Sequence, residues 1–308
     1  MNPNQKVVFV GLDSAGKTSI LLALERKFSL ISSVKPTLGS RRTRFKCAGF
    51  DAVIFDLGGQ ATYREKYIRK KFQVFYQVGV LCFVVDVTRP DRFEQAGEYF
   101  ANILETLERL SEAPRVSVWL HKADPDIVAE VRENVGAAKK LFENLAGGKP
   151  LSFHLTTIHD PATVTDAFSQ EVADLSPRST VVNQQLREFA KLTFSSAVVL
   201  LDENLLVMGA HHSNQNYYNV CRTLAPRLAL TIERVDASYQ LQITTLLSRV
   251  VVDQKEVSVF CRPFKVLGGE PCFVVSLSAN ERTTSLSLKH LPHLAERLAE
   301  SFRAFSTC

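Results

Sequence analysis

Residues 11–18 read Gly-Leu-Asp-Ser-Ala-Gly-Lys-Thr. They follow the apolar run Lys6-Val-Val-Phe-Val10 and open a stretch of helical pattern, Lys17–Phe28. A G-x-x-x-x-G-K-T octet between a strand and a helix leaves the backbone little choice. It must turn tightly, and its N–H groups must converge on an anion at the helix N-terminus. The backbone of Asp13, Ser14, Ala15 and Gly16, with Ser19 just inside the helix, would then cradle phosphate oxygens. Lys17 would add a point charge for the β- and γ-phosphates, and the Thr18 hydroxyl would ligate Mg²⁺. This segment predicts a nucleoside triphosphate site and does not by itself choose ATP or GTP.

The pattern beyond the loop sets the fold class. Up to about residue 175, strand and helix patterns alternate: Val7–Val10, Lys17–Phe28, a hairpin of Arg42–Lys46 and Ala52–Asp56 around Gly49, and the apolar run Gly79–Val87. Then come a helix over Arg92–Leu110, a strand over Val116–Leu120, a helix over Ile127–Leu145, a strand over Leu151–Leu155 and a helix over Ala162–Leu175. Such alternation predicts an α/β domain over 1–176, a mostly parallel sheet with helices on both faces. Leu175-Ser-Pro-Arg-Ser-Thr180 reads as a junction. Beyond it, over 180–308, the order changes to helix, hairpin, long helix, strands and final helix, an α+β module. Its strands include Ala197–Leu201, Leu205–Ala210, Val257–Cys261 and Cys272–Leu277, the last two joined at Gly268-Gly269. Its helices include Tyr217–Ile232, which Pro226 should kink or interrupt, and a C-terminal helix with Leu291, Leu294, Leu298, Phe302 and Phe305 in a stripe.

Composition excludes several classes. No apolar run approaches the roughly 20 residues that span a bilayer. The start of the chain leads directly into a strand, a pattern that predicts no signal peptide. Asn2 stands where myristoylation requires glycine, and the final Phe-Ser-Thr-Cys is not a prenylation box. These features predict a cytoplasmic protein without direct membrane insertion, reaching a membrane surface only through partners. The six cysteines (Cys47, Cys82, Cys221, Cys261, Cys272, Cys308) form no C-x-x-C pair and read as reduced, buried hydrophobes. His211-His212 read as ordinary strand-end residues, since neighbours in a strand point to opposite faces. The net charge of +5 gathers in Arg41-Arg-Thr-Arg-Phe-Lys46 and in Arg64, Lys66 and Arg69-Lys-Lys71. Neither cluster comes with an RNA-binding motif, so they read as a basic face near the nucleotide or a docking surface, with no nucleic acid as partner.

Four further motifs bear on which nucleotide binds and what becomes of it. Asp56-Leu-Gly-Gly-Gln60 ends a strand: Asp56 can hold Mg²⁺, the Gly59 N–H can meet a γ-phosphate, and Gln60 can orient the attacking water. Lys17 and Gly59 would stabilise the phosphate charge. Pro36-Thr37-Leu-Gly39 places a threonine able to reach the metal and the γ-phosphate, with Thr43 the runner-up inside a strand. His121-Lys-Ala-Asp124 ends another strand. There the Asp124 carboxylate can accept the two donors of a guanine edge, which adenine lacks, and the Lys122 stem can lie over the base. Thr156-Thr-Ile-His-Asp160 follows the next strand, where the backbone of Thr157 and Ile158 would face the guanine O6.

In this order, the motifs resemble the Ras-type small GTPase domain. Gly11–Thr18 and Asp56–Gln60 are similar to the Arf branch. The finer resemblance is to the Rag/Gtr GTPases, which carry His-Lys-x-Asp where most relatives have Asn-Lys-x-Asp, and a last guanine loop close to Thr156-Thr-Ile-His-Asp160. Val80–Val87 and Ser196–Asp202 resemble strands of that family, whose C-terminal part is a roadblock/longin-like module of this size and order. The resemblance implies a guanine-nucleotide switch with GTP/GDP and Mg²⁺ as ligands and slow hydrolysis. It also implies a homodimer, or a heterodimer with a related Rag-type GTPase, through 180–308. A roadblock-type scaffold, an effector and a GTPase-activating protein are the further partners it implies; no arginine in the sequence is an obvious internal finger, so acceleration would come from outside. The asparagine replaced by His121 usually ties the phosphate loop to the base loop, and whether an imidazole does so is open at this level. Two rivals stand: a non-hydrolysing nucleotide-bound scaffold, and an Arf-like trafficking GTPase with an appended interaction domain.

Overall fold

The computed structural model describes residues 6–35, 37–47, 50–69, 74–175, 179–240, 242–265, 271–280 and 282–306. Pro36, the Gly49 and Gly268-Gly269 turns, Lys70, Lys71, the 176–178 part of the junction, Cys308 and the chain start lie outside the described residues. So do the side chains of Lys46, Cys47, Arg69, Phe302 and Phe305. The chain divides into two compact units, Met1–Lys46 with Asp51–Ala167, and Cys47–Phe50 with Phe168–Cys308.

The first unit is built on a six-stranded sheet of order β2-β3-β1-β4-β5-β6. Its strands are β1 (Lys6–Gly11), β2 (Ser40–Cys47), β3 (Phe50–Leu57), β4 (Val80–Asp86), β5 (Arg115–His121) and β6 (Ser152–Thr156). β1 runs parallel to β3 and β4, β4 to β5 and β5 to β6. The helices are α1 (Lys17–Leu24), α2 (Ala61–Arg69), α3 (Phe93–Arg109), α4 (Arg132–Ala146) and α5 (Pro161–Val172). β4 is buried from Val80 to Val85, as a central parallel strand covered on both faces must be. On one face Phe83 meets Phe100 of α3 and Phe142 of α4, with ring centroids 5.1 and 5.5 Å away. On the other, Phe9 packs edge-on to Trp119 at 5.4 Å. Since the paired strands run one way, the loops leaving β1, β3, β4, β5 and β6 emerge along a single edge.

The second unit holds an antiparallel sheet of order β8-β7-β11-β10-β9, from β7 (Ala197–Leu201), β8 (Val207–His212), β9 (Leu246–Val252), β10 (Lys255–Lys265) and β11 (Pro271–Ser278). Alternation along the strands feeds two cores. Ala197, Val199, Leu201, Val275 and Leu277 pack with Cys221, Ala225 and Ile232 of α7 (Gln215–Tyr239). Val198, Leu200, Phe260 and Val274 pack with Leu186 and Phe189 of α6 (Ser179–Thr193) and Leu294 and Leu298 of α8 (Thr283–Ser306). Cys82, Cys221, Cys261 and Cys272 are buried thiols in no disulfide. Among the described residues, no helix is long and apolar enough to cross a membrane.

The α/β fold with a second, smaller α+β sheet is the one expected, but several elements differ. The helix expected over Ile127–Leu145 begins only at Arg132. After Asp124-Pro125 the chain makes short-range turns, Ile127 N–H to Asp124 C=O and Glu130 N–H to Ile127 C=O, before the helix settles. The strand expected over Leu205–Ala210 runs Val207–His212 and so contains His211 and His212. Leu205 sits at φ 64° in a turn capped by the Asp202 carboxylate, which accepts the N–H groups of Asn204 and Leu206. Pro226 does not interrupt α7, which runs through it for 25 residues. The missing N–H costs one hydrogen bond, while a whole buried face from Cys221 to Ile232 holds the helix to the sheet. Two elements carried too weak a pattern to be foreseen: α2, whose Ala-Thr-Tyr-Arg-Glu-Lys-Tyr-Ile-Arg has no clear apolar stripe, and β9, an edge strand.

Candidate nucleotide site

Residues 11–16 leave β1 and enter α1 with positive φ at Gly11 (145°), Ser14 (59°) and Gly16 (96°). The Lys17 side chain turns back under the loop and donates to the carbonyls of Leu12 at 2.7 Å and Gly11 at 3.1 Å. It is almost fully buried, and burial pulls its ammonium down to about 8, opposed chiefly by the Asp56 carboxylate. Asp13, Ser14, Gly16, Lys17, Thr18, Ser19, Thr37, Gly59, Gln60 and Lys122 all line one cavity of about 300 Å³, and Ala15 is buried behind it.

Beside Lys17 three oxygens gather. The Thr18 hydroxyl donates to Asp56 Oδ2 at 2.8 Å and lies 2.9 Å from the Thr37 hydroxyl, which reaches the same carboxylate oxygen at 3.2 Å. Asp56 is buried at the end of β3, and its other oxygen, Oδ1, is buried without a hydrogen-bond partner. Two hydroxyls and a carboxylate with an orphaned oxygen form an all-oxygen donor set that fits a hard divalent cation such as Mg²⁺. Thr43, the runner-up to Thr37, lies on β2 and lines a separate small pocket with Phe45 and Ile54. Gly59 lies on the loop itself, its carbonyl accepting the Asp13 N–H at 3.1 Å.

At the tip of β5, His121 is buried. Its Nδ1 lies 3.0 Å from the Thr156 hydroxyl at the tip of β6, its register partner. The ring packs against the phosphate loop so closely that a Cβ on Gly16 would sit 2.4 Å from His121 Cδ2. The imidazole therefore spans from the base side to the loop, the span left open by the sequence. Burial, reinforced by Lys122, drops its pKa to about 4, so it is neutral at pH 7. Lys122, at φ 64°, donates to Asp86 Oδ2 at 2.6 Å. The Thr157 hydroxyl donates to Asp124 Oδ1, and His159 Nε2 stands 3.8 Å from Asp124 Oδ2. Asp124, Thr157 and Ile158 thus form a second group at the strand tips, outside the lining of the cavity.

Four contacts of this edge escaped the sequence reading. Arg92, just before α3, clasps the phosphate loop by donating to the Asp13 carboxylate at 2.7 Å and carbonyl at 3.0 Å. That contact holds the Asp13 carboxyl below its usual range. Asp86 positions Lys122, and Thr156 positions His121. Tyr67 of α2 joins two glycine-bearing loops, and burial lifts its hydroxyl to about 12. Asp86 at a strand end was a visible signal. The others depend on pairs 28 to 79 residues apart, which no local pattern reports.

A parallel sheet carrying a phosphate loop on its first strand, with a lysine turned under that loop, defines a phosphate-loop α/β protein. Comparison narrows the class: the model described as "Gtr1/RagA G protein conserved region" matches residues 6–225, and the chain belongs to that family. It is 23% identical over 229 residues to GTP-binding protein GTR1 of Saccharomyces cerevisiae, covering 70% of this chain and 73% of the relative. It is 31% identical over 167 residues to gtr1 of Schizosaccharomyces pombe, covering 53% of each. Over 101 residues it is 35% identical to ADP-ribosylation factor-like protein 5 of Caenorhabditis elegans, covering 32% of this chain and 53% of the relative. A solved structure of the Arl6/BBS3 small GTPase from Trypanosoma brucei with bound GppNp aligns with 56% of this chain and 98% of its own. The TM-score is 0.44 and the identity 20%.

Proposed function

We propose that this protein is a guanine-nucleotide switch of the Rag/Gtr type. The observation that carries the reading is the meeting of the Thr18 and Thr37 hydroxyls on Asp56 Oδ2, with Oδ1 of the same carboxylate buried without a partner, beside a buried lysine and a cavity that Thr18 and Thr37 line with the phosphate loop. Loop N–H groups and Lys17 bind the triphosphate. Thr18, Thr37 and Asp56 hold Mg²⁺, which when bound neutralises charge on the β- and γ-phosphates. Asp124, oriented by Thr157, accepts the guanine N1–H and N2 amino group, and the backbone of Thr157 and Ile158 faces O6. Neutral His121, fixed by Thr156, keeps the loop and the base side in register. Gly59 meets the γ-phosphate, and Gln60 orients the water that attacks it.

Hydrolysis is slow when the protein is alone. Arg92, which reaches the loop, is engaged with Asp13 and leaves the developing charge to a partner's residue. The second unit is a roadblock-type module through which two copies, or this chain and a relative, pair, and the pair recruits an effector and a scaffold from the cytoplasm to a membrane surface. Native mass spectrometry of the purified full chain tests both halves at once. Bound GDP or GTP and a dimer mass are expected. Protein that takes up neither nucleotide, with its fold intact, overturns the switch. Single-turnover hydrolysis separates a switch from a static scaffold, which would release no phosphate even with added lysate.

A further inference from the structure

Tyr67 is the one described side chain that bonds to both loops flanking the cation donor set. It belongs to α2, and its ring is buried in the main core of the first unit with Leu57, Phe75 and Val78. Only the hydroxyl reaches out of that core. It donates to the Gly39 carbonyl at 2.6 Å and accepts the Gly58 N–H at 3.1 Å. Gly58 N–H also points at the Gly39 carbonyl, 2.9 Å away, so the three groups close a small ring of hydrogen bonds.

Both ends of that ring lie next to groups assigned to the nucleotide. Gly39 is two residues from Thr37, and the Thr37 carbonyl is pressed on Gly58, where an added Cβ would sit 2.4 Å away. Gly58 is bonded to Gly59, which is pinned to the phosphate loop through Asp13. The hydroxyl can donate only one proton, and it gives that proton to Gly39. If the 37–39 segment swings away, the Tyr67 hydroxyl loses its acceptor beside a buried ring, and the Gly58 N–H is left with the Tyr67 oxygen alone. Such loss is costly.

We propose that Tyr67 is a positioning residue that latches the Thr37–Gly39 segment to the Gly58–Gly59 peptide, so that the metal-side threonine and the phosphate-side glycine close and open together. The proposal rests on the nucleotide-switch reading above. The latch makes closure cooperative. A ligand that engages both Thr37 and Gly59 gains from it, and a diphosphate, which lacks the γ-phosphate, gains little. Tyr67 touches no reacting atom, so its effect falls on discrimination between nucleotides rather than on binding in general.

The test uses the full-length protein and Tyr67→Phe, which keeps the buried ring and removes the hydroxyl. Release of a fluorescent GDP and of a fluorescent non-hydrolysable GTP analogue is timed, and the second is repeated across Mg²⁺ concentrations. The wild type is timed first: failure to bind either nucleotide sinks the switch reading itself. With binding present, the variant is expected to release the triphosphate about 5- to 30-fold faster, as for one lost buried hydrogen bond, and to need more Mg²⁺ to retain it. GDP release is expected to stay within about twofold, too small a change to count as a lost hydrogen bond. Unchanged release of both nucleotides, or equal acceleration of both, overturns the latch while leaving the switch reading standing. If Tyr67→Phe does not fold, 3-fluorotyrosine placed at position 67 of the wild-type sequence gives the answer. Its ¹⁹F resonance should differ between the GDP and triphosphate states, and one unmoved resonance overturns the proposal.

Discussion

The two sheets of this protein bury comparable apolar strands, yet among the described residues the polar groups gathered along one edge belong to the first. β4 of the first unit and β7 of the second are each buried over nearly their whole length. They differ in direction. Parallel strands deliver their loops to one edge, so Lys17, Asp56, Asp86, His121 and Thr156 arrive from five separate strands or their sequels. Antiparallel strands return by hairpins and scatter their loops over two ends. In the second unit, buried polar groups such as Asp202 are spent on turns: its carboxylate caps two N–H groups between β7 and β8. Core composition builds both units, and strand direction decides which of them can assemble a site.

The largest effect that would sharpen the contrast is at the strand tips. Asp124→Asn should lower guanine-nucleotide affinity on the order of 10⁴-fold and shift preference to xanthine nucleotides, because a donor then faces donors. A competition assay that shows no shift removes Asp124 as selector and weakens the claim that the edge reads a base. In the second unit, Phe260→Ala should cost about 3–5 kcal/mol of that unit's stability in denaturant unfolding, leaving nucleotide affinity unchanged. A matching loss of nucleotide affinity would break the division of labour between the sheets. Gln60→Leu should slow single-turnover hydrolysis about 100-fold with binding retained, as misplacing a reactant does. Equal turnover would take Gln60 out of the mechanism.

The smallest effect concerns acid. Folded His121 titrates near 4, and an unfolded histidine near 6.5. Between those values the unfolded chain holds a proton that the native one lacks. Stability should therefore fall as pH drops from about 6.5 to about 4, by about 1–3 kcal/mol, and level off below that. His121→Asn should flatten this part of the unfolding profile of the first unit. An unchanged profile would show that the ring is not the neutral brace described here.

Much of the α/β half was legible. The phosphate loop, the buried run at Val80–Val85 and the strand-end motifs are contiguous segments whose spacing reports their geometry, and the family match agrees with the resemblance read from them. The boundaries that shifted did so for local chemical reasons. Turn bonds after Asp124 delayed α4, and the Asp202 cap moved the start of β8 to Val207. Pro226 misled because propensity is weak against a long buried helix face. α2 was invisible because its mixed polar sequence owes its helix to tertiary anchoring, with Tyr67 in the core and Tyr63 packed against it.

Taken by itself, the sequence determined the alternation that makes a parallel sheet, the loop that binds an anion, and the residue types waiting at the strand ends. Those are properties of neighbours along the chain, where φ, ψ and burial periodicity act over a few residues. Only the tertiary structure decided that Arg92 holds Asp13, that Thr156 holds His121 against Gly16, and that one tyrosine hydroxyl joins Gly39 to Gly58. Each pairs groups far apart in sequence. Their hydrogen bonds gain enough to matter only after the packed core has met the entropy of bringing them together.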